Sequence, residues 1–209
     1  LRFSSPIYGG AAASAVFSVS LLSILIAPLL TAPLPIAGFT YRHLGLRSDL
    51  AAPFRRVAKL VFPLLGAFII WTVYMGFGLL LFAFPAFLVY IRYSLTPHVV
   101  VIEGEGGYGA IKRSKVVMEG EFSRGMITLL LPMMTEILIA LIISTPLLML
   151  MSGRSFGAGW EYLIFGLIVP LLFDPIRAIV STLLYLDLRS EKEGLDDEIL
   201  RMEFMELEE

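Results

Sequence analysis

Five ionisable residues lie inside stretches otherwise apolar enough to cross a membrane: Arg92, His98, Glu136, Asp174 and Arg177. A bare charge in lipid costs several kcal/mol, so each of these groups must face a partner, water or a ligand. Two acids and two arginines invite pairing, Glu136 with Arg92 or Arg177 and Asp174 with the other. Such a set can do three things: lock helix register through ion pairs, hold a lipid headgroup or solute, or relay a proton or ion. Asp174 precedes Pro175, so it could instead cap a broken helix by accepting from freed amides. His98 has no second ligand at metal spacing and reads as a hydrogen-bonded interface residue. The sequence has no cysteine and only one other histidine, His43. No metal, cofactor or nucleophilic centre is expected from that inventory.

A second constellation opens at Glu103, in EGEGGYGAIKRSKVVMEGEFSRG, the longest polar interruption between apolar segments. Arg113 and Ser114 sit on a short amphipathic segment and could together hold a lipid phosphate. Alternatively, Arg113 pairs with the acids of the C-terminal DLRSEKEG segment, which carries Asp187 and Arg189. The second reading is preferred, because a basic and an acidic motif then meet on one membrane face. The GEGGYG run lacks a strand-loop-helix setting and a following GK[ST], so nucleotide binding is set aside.

The elements that position these residues read as an all-α, polytopic transmembrane bundle. Hydrophobic residues make up 57% of the 209 and charged residues only 16%, against about 25% charged in soluble domains. Mean hydropathy is +0.84. Five crossings are expected, over 11–37, 60–82, 84–102, 125–151 and 160–186, each near the length that about 30 Å of hydrocarbon demands. In the first, small residues four apart (Ala11, Ser14, Ala15, Ser18) allow close helix approach, and Pro28, Pro33 and Pro35 should kink or end the helix.

A basic connection over 38–59 follows, with Ser48 or Asp49 as a possible cap for a short helix through Arg56. The apolar stretch 60–102 is twice the length of one crossing. A hairpin broken at Phe82-Ala83-Phe84-Pro85 is preferred over one long tilted helix, because it leaves both basic loops on the same side. Ala110, Ile111, Ser114, Val117 and Met118 then define one face of a short interfacial helix, with Lys112, Arg113 and Glu119 turned away toward headgroups. The last crossing is interrupted at Phe173–Arg177. The odd count leaves the N-terminus outside and the C-terminus inside. The chain thus divides into a membrane domain, 1–190, and an acidic cytoplasmic tail, 191–209. In the tail Leu195, Ile199, Met202 and Met205 share a face suited to a protein partner rather than to anionic lipid.

Two motifs together resemble the membrane domain of the glycerophosphoryl diester phosphodiesterase family and its polytopic relatives. The matching residues are Glu103, Gly104, Ala110, Arg113, Ser114 and Gly120. They continue with Pro175, Leu183, Leu184, Tyr185, Asp187, Leu188, Arg189, Glu193, Gly194 and Asp196. The resemblance covers about residues 50–197 and implies the hairpin. Relatives carry one more N-terminal helix, which implies six crossings with both ends inside. The family implies no activity for the membrane module itself, since a separate soluble domain carries out hydrolysis in fused relatives.

The expected function is therefore a non-catalytic accessory or scaffold subunit in a prokaryotic cytoplasmic membrane. Its expected partners are membrane lipids and another membrane protein or a second copy, not nucleic acid. A lipid-handling or transport protein with an intramembrane charged site is the alternative, and a module of glycerophosphodiester or phospholipid metabolism the third reading.

Overall fold

The computed structural model describes residues 32–46, 51–151, 160–194 and 196–206. These residues form helices and no strand: α1 (Pro33–His43), α2 (Ala51–Lys59), α3 (Val61–Leu81), α4 (Ala83–Tyr93), α5 (Thr96–Glu103), α6 (Gly107–Val117), α7 (Phe122–Met151), α8 (Trp160–Glu193) and α9 (Asp197–Glu206). The expected all-α membrane bundle is the observed architecture. Most of the first expected crossing, its small-residue motif, Ser48, Asp49, the 152–159 link and Leu195 lie outside the described residues.

The hairpin is present. Helix α3 has 21 residues, about 30 Å at the helical rise. Phe82 then adopts a nearly extended backbone (φ 156°, ψ 165°) that breaks the helix. Pro85 falls in the first turn of α4, where a missing amide costs no internal hydrogen bond. Tight closure depends on Gly78. A Cβ there would lie 2.8 Å from the Ala86 Cα, so only glycine lets the two arms approach this closely. The returning arm bends at Ser94-Leu95 and resumes at Thr96-Pro97 as α5. Gly104, at φ 72°, ends it in the left-handed conformation that favours glycine.

Three segments are long and apolar enough to cross a membrane: Val61–Leu81, Phe84–Glu103 and Phe122–Ile139. Only 17% of the first window and 6% of the third are buried within the protein. Phe62 and Leu80 are each 84% exposed, and Ile69, Phe77, Ile127, Leu131 and Leu138 are exposed with them. Each such side chain costs about 1.5–3 kcal/mol in water relative to an apolar environment. These faces are lipid faces, and the protein is an integral membrane protein. The protein's own core sits toward the end away from Phe82. It includes Ile36, Tyr41, Val99, Val101, Tyr185, Leu188, Leu200 and Phe204.

Several local expectations are corrected. Pro33 opens α1, whose first-turn amides need no partner within the helix, while the residues before it, where the first crossing was expected, lie outside the described residues. The short helix expected through Arg56 is present as α2, while residues 38–43 of the expected basic connection are helical too, in α1. Helix α8 passes through Asp174-Pro175 without a break, so Asp174 is not the cap of an interrupted helix. Proline is tolerated inside membrane helices when neighbours satisfy the freed groups. Helix α8 also continues past residue 186, where the last crossing was expected to end, to Glu193, so all of the DLRSEKEG motif but its final glycine forms its last turns. In α9 the face of Ile199, Met202 and Met205 is exposed, while Leu200 and Phe204, a face not anticipated, are buried.

Candidate functional site

Two polar clusters organise the helices. The first is a clasp at the loop end, where α5, α6 and the last turns of α8 converge. Glu103, at the end of α5, is its hub. It accepts from Arg113 Nε at 2.9 Å and from the Tyr185 hydroxyl, and Arg189 Nε lies 3.4 Å away. Arg113 also pairs with Glu193 at 2.5 Å, and Arg189 reaches Glu193 and Glu203 at 3.1 and 3.0 Å. Arg113 therefore turns into the protein rather than toward headgroups, while Lys112 and Lys115 remain exposed as expected.

Burial pulls the Arg189 guanidinium down, but the Glu203 hydrogen bond and the surrounding carboxylates more than offset this and raise its pKa. Burial likewise opposes, and Glu103 with Glu193 outweighs, in holding Arg113 above its usual value. Ser114 is buried and donates to the Arg92 carbonyl at 3.3 Å, so its hydroxyl joins helices rather than facing a phosphate. Asp187 takes no part in the hub. It pairs at the surface with Arg124, which also reaches Glu191 at 2.6 Å.

Arg56 is the clasp's unforeseen member. It is 4% exposed and donates to the carbonyls of Val101 (2.7 Å), Ile102 (3.1 Å) and Phe204 (3.1 Å). Its guanidinium lies 3.6 Å over the Phe204 ring, a cation–π contact. Desolvation lowers its pKa to about 10, which still leaves it cationic at neutral pH. Neighbouring Arg55 is exposed. The sequence carried no signal separating the two, because Arg56's partners are backbone carbonyls far along the chain. Tyr185 and Glu193 were visible only as members of a motif.

The second cluster lies within the crossing helices. Arg177 Nη1 is 3.1 Å from Glu136 of α7, and its Nη2 is 2.7 Å from Asp174, three residues earlier on α8. One arginine thus serves both acids. Arg92 does not take one of them, contrary to the expected pairing: its side chain is exposed, outside the triad. His98 is 3% exposed, with Nε2 3.0 Å from the Ser181 hydroxyl and its ring stacked on Tyr185 at 5.8 Å. Ser181 also donates to the Arg177 carbonyl at 2.8 Å. No hydrogen-bond partner of His98 Nδ1 is found among the described residues.

Between α1, α3, α4, α5, α7 and α8, this cluster borders a cavity of about 190 Å³. Its lining includes Asp174, Arg177, His98 and Ser181 together with Phe68, Trp71, Tyr90 and Tyr93. A void needs only about 10–15 Å³ to hold one water, so this one has room for a small polar group and adjoining methylenes. Of the five intramembrane candidates, the structure brings Asp174, Arg177 and His98 to the cavity wall, sets Glu136 one ion pair behind, and leaves Arg92 outside. No family model, curated protein or solved structure matches the chain.

Proposed function

We propose that the chain is a non-catalytic integral membrane protein that binds an amphiphile, a lipid-handling or transport module whose site is the cavity between α1, α3, α4, α5, α7 and α8. The observation that carries this reading is the cavity itself, lined mostly by apolar and aromatic side chains with a few charged and polar ones, within the crossing helices. Ligand sites in helical bundles have this character: mostly apolar walls and a few convergent polar groups. The basic loops and the clasp face the cytoplasm, by the positive-inside bias. The two motifs that resemble the glycerophosphodiesterase membrane domain fit a module without a hydrolytic centre of its own.

The test is extraction in a mild detergent followed by analysis of the co-purified lipid. The wild-type chain should carry a bound amphiphile. Ala67→Phe should lose it, because Ala67 lines the cavity and is 2% exposed. Arg92→Ala should keep it, since Arg92 lies outside. Equal retention by all three proteins, or by none, overturns the reading.

A second reading, an accessory subunit for another membrane protein or a second copy, is favoured by one observation. Ile199, Met202 and Met205 form an exposed apolar strip on α9 beside acidic residues. Loss of a co-purifying protein on Met202→Glu would support it.

A further inference from the structure

A third group of charges lies outside both clusters, on the exposed side of α4 and α6. Arg92 is exposed on α4, inside the segment Phe84–Glu103 that can cross a membrane, and makes no ion pair among the described residues. A cation on a membrane-facing surface recruits an anion. Ser114 of α6 donates to the Arg92 carbonyl, so Arg92 leaves α4 where α6 packs against it. On α6, Tyr108, Lys112 and Lys115 follow one another at i, i+4 and i+7 and form a single exposed stripe, while Ala110, Ile111, Ser114 and Val117 are buried. Neither lysine makes an ion pair among the described residues. Tyr93 is within electrostatic reach of both Arg92 and Tyr108, and its ring lies 5.6 Å from that of Tyr74 on α3. Arg92 and the start of the stripe therefore share one neighbourhood.

The depth of this face follows from α3. A Cβ on Gly106 would lie 2.6 Å from the Pro63 Cβ, so α6 begins against the first turn of a crossing helix. Phe62, next to Pro63, is 84% exposed on the lipid face. Headgroups meet a crossing helix at that level, where tyrosine and snorkelling lysine or arginine are enriched. The exposed acids Glu105 and Glu119 lie beyond the two ends of α6, and the Glu105 carboxylate folds over Gly109. We infer that this face binds the headgroup of an acidic phospholipid, with Arg92, Lys112 and Lys115 toward its phosphate and Tyr93 and Tyr108 at headgroup level. A zwitterionic lipid brings its own ammonium, which the three cations repel, and an acidic lipid does not.

The site is open, so its lipid exchanges during purification, whereas an occupant of the cavity is enclosed. It is therefore read with lipid added back, by native mass spectrometry of the full chain with equimolar phosphatidylglycerol and phosphatidylcholine of the same acyl chains. Phosphatidylglycerol should be retained about tenfold better. Arg92→Gln, and Lys112→Gln with Lys115→Gln, should each cut that preference severalfold, and Arg92→Lys should keep most of it. Arg201→Gln removes an exposed cation from α9 and should leave the preference unchanged. Ala67→Phe should leave it unchanged too, which separates this face from the cavity. Equal retention of the two lipids overturns the inference and leaves the cavity reading intact. An equal loss in Arg201→Gln overturns it as well, because overall charge then accounts for the preference. Displacement of phosphatidylglycerol by inorganic phosphate at constant ionic strength overturns the lipid assignment in favour of a free anion.

Discussion

The two polar clusters use the same residue types and differ in what surrounds them. At the loop end, Arg56, Arg113 and Arg189 each find several acceptors, and the acids between them are shared by more than one arginine. Within the crossing helices Arg177 pairs with Glu136 and Asp174, and a cavity adjoins the pairs. A closed network fixes segments to one another, while a network with spare capacity beside a void can bind. On the function proposed above, the first cluster fixes segments to one another and the second lies beside the cavity taken as the ligand site.

The largest effect expected from breaking this contrast is at Arg56. Arg56→Ala strands three carbonyl acceptors and uncovers Phe204, for a loss of roughly 3 kcal/mol or more. Arg56→Lys should rescue little, because a single ammonium cannot match the planar fork that reaches Val101, Ile102 and Phe204. Thermal unfolding in detergent reads both variants.

Glu103→Gln removes the charge that Arg113 and Arg189 share, at a cost of about 2–3 kcal/mol. Gly78→Val tests the far end of the hairpin. Its side chain cannot fit against Ala86, and the forced separation of α3 and α4 should cost about 1–3 kcal/mol. The smallest effect belongs to Arg124→Ala. Its pairs with Glu191, Asp187 and Glu121 are at the surface. The stability difference from wild type should therefore shrink further as salt is raised.

Much of this arrangement is legible in the sequence wherever the signal is periodic or local. The break near Pro85 follows from proline chemistry and charge placement. The buried face of α6 follows from helical spacing: Ala110, Ile111, Ser114, Val117 and Met118 are all within 4% exposure. The meeting of Arg113 with the DLRSEKEG segment follows from opposite charge on one side of the membrane.

What stays hidden depends on tertiary context. Arg56 reads as one more loop cation because carbonyl partners leave no trace in the side-chain pattern. Arg177 is set apart from Arg92 only by packing: it lies three residues from Asp174 on α8 and opposite Glu136 on α7. Pro175 reads as a breaker but is carried within α8. In α9, Leu200 and Phe204 are indistinguishable by hydropathy from Ile199 and Met202, and contact with α1 and Arg56 selects them. The cavity has no sequence signature, because it is bounded by six helices.

The most direct test measures thermal unfolding and retained amphiphile together on two variants, Glu103→Gln and Ala67→Phe. Separate roles predict a crossed result. Glu103→Gln should melt lower and keep its amphiphile, whereas Ala67→Phe should melt close to the ligand-free wild type and lose it. If Glu103→Gln sheds the amphiphile while still folded, or Ala67→Phe retains it, the division between a closed clasp and an open binding cluster is contradicted.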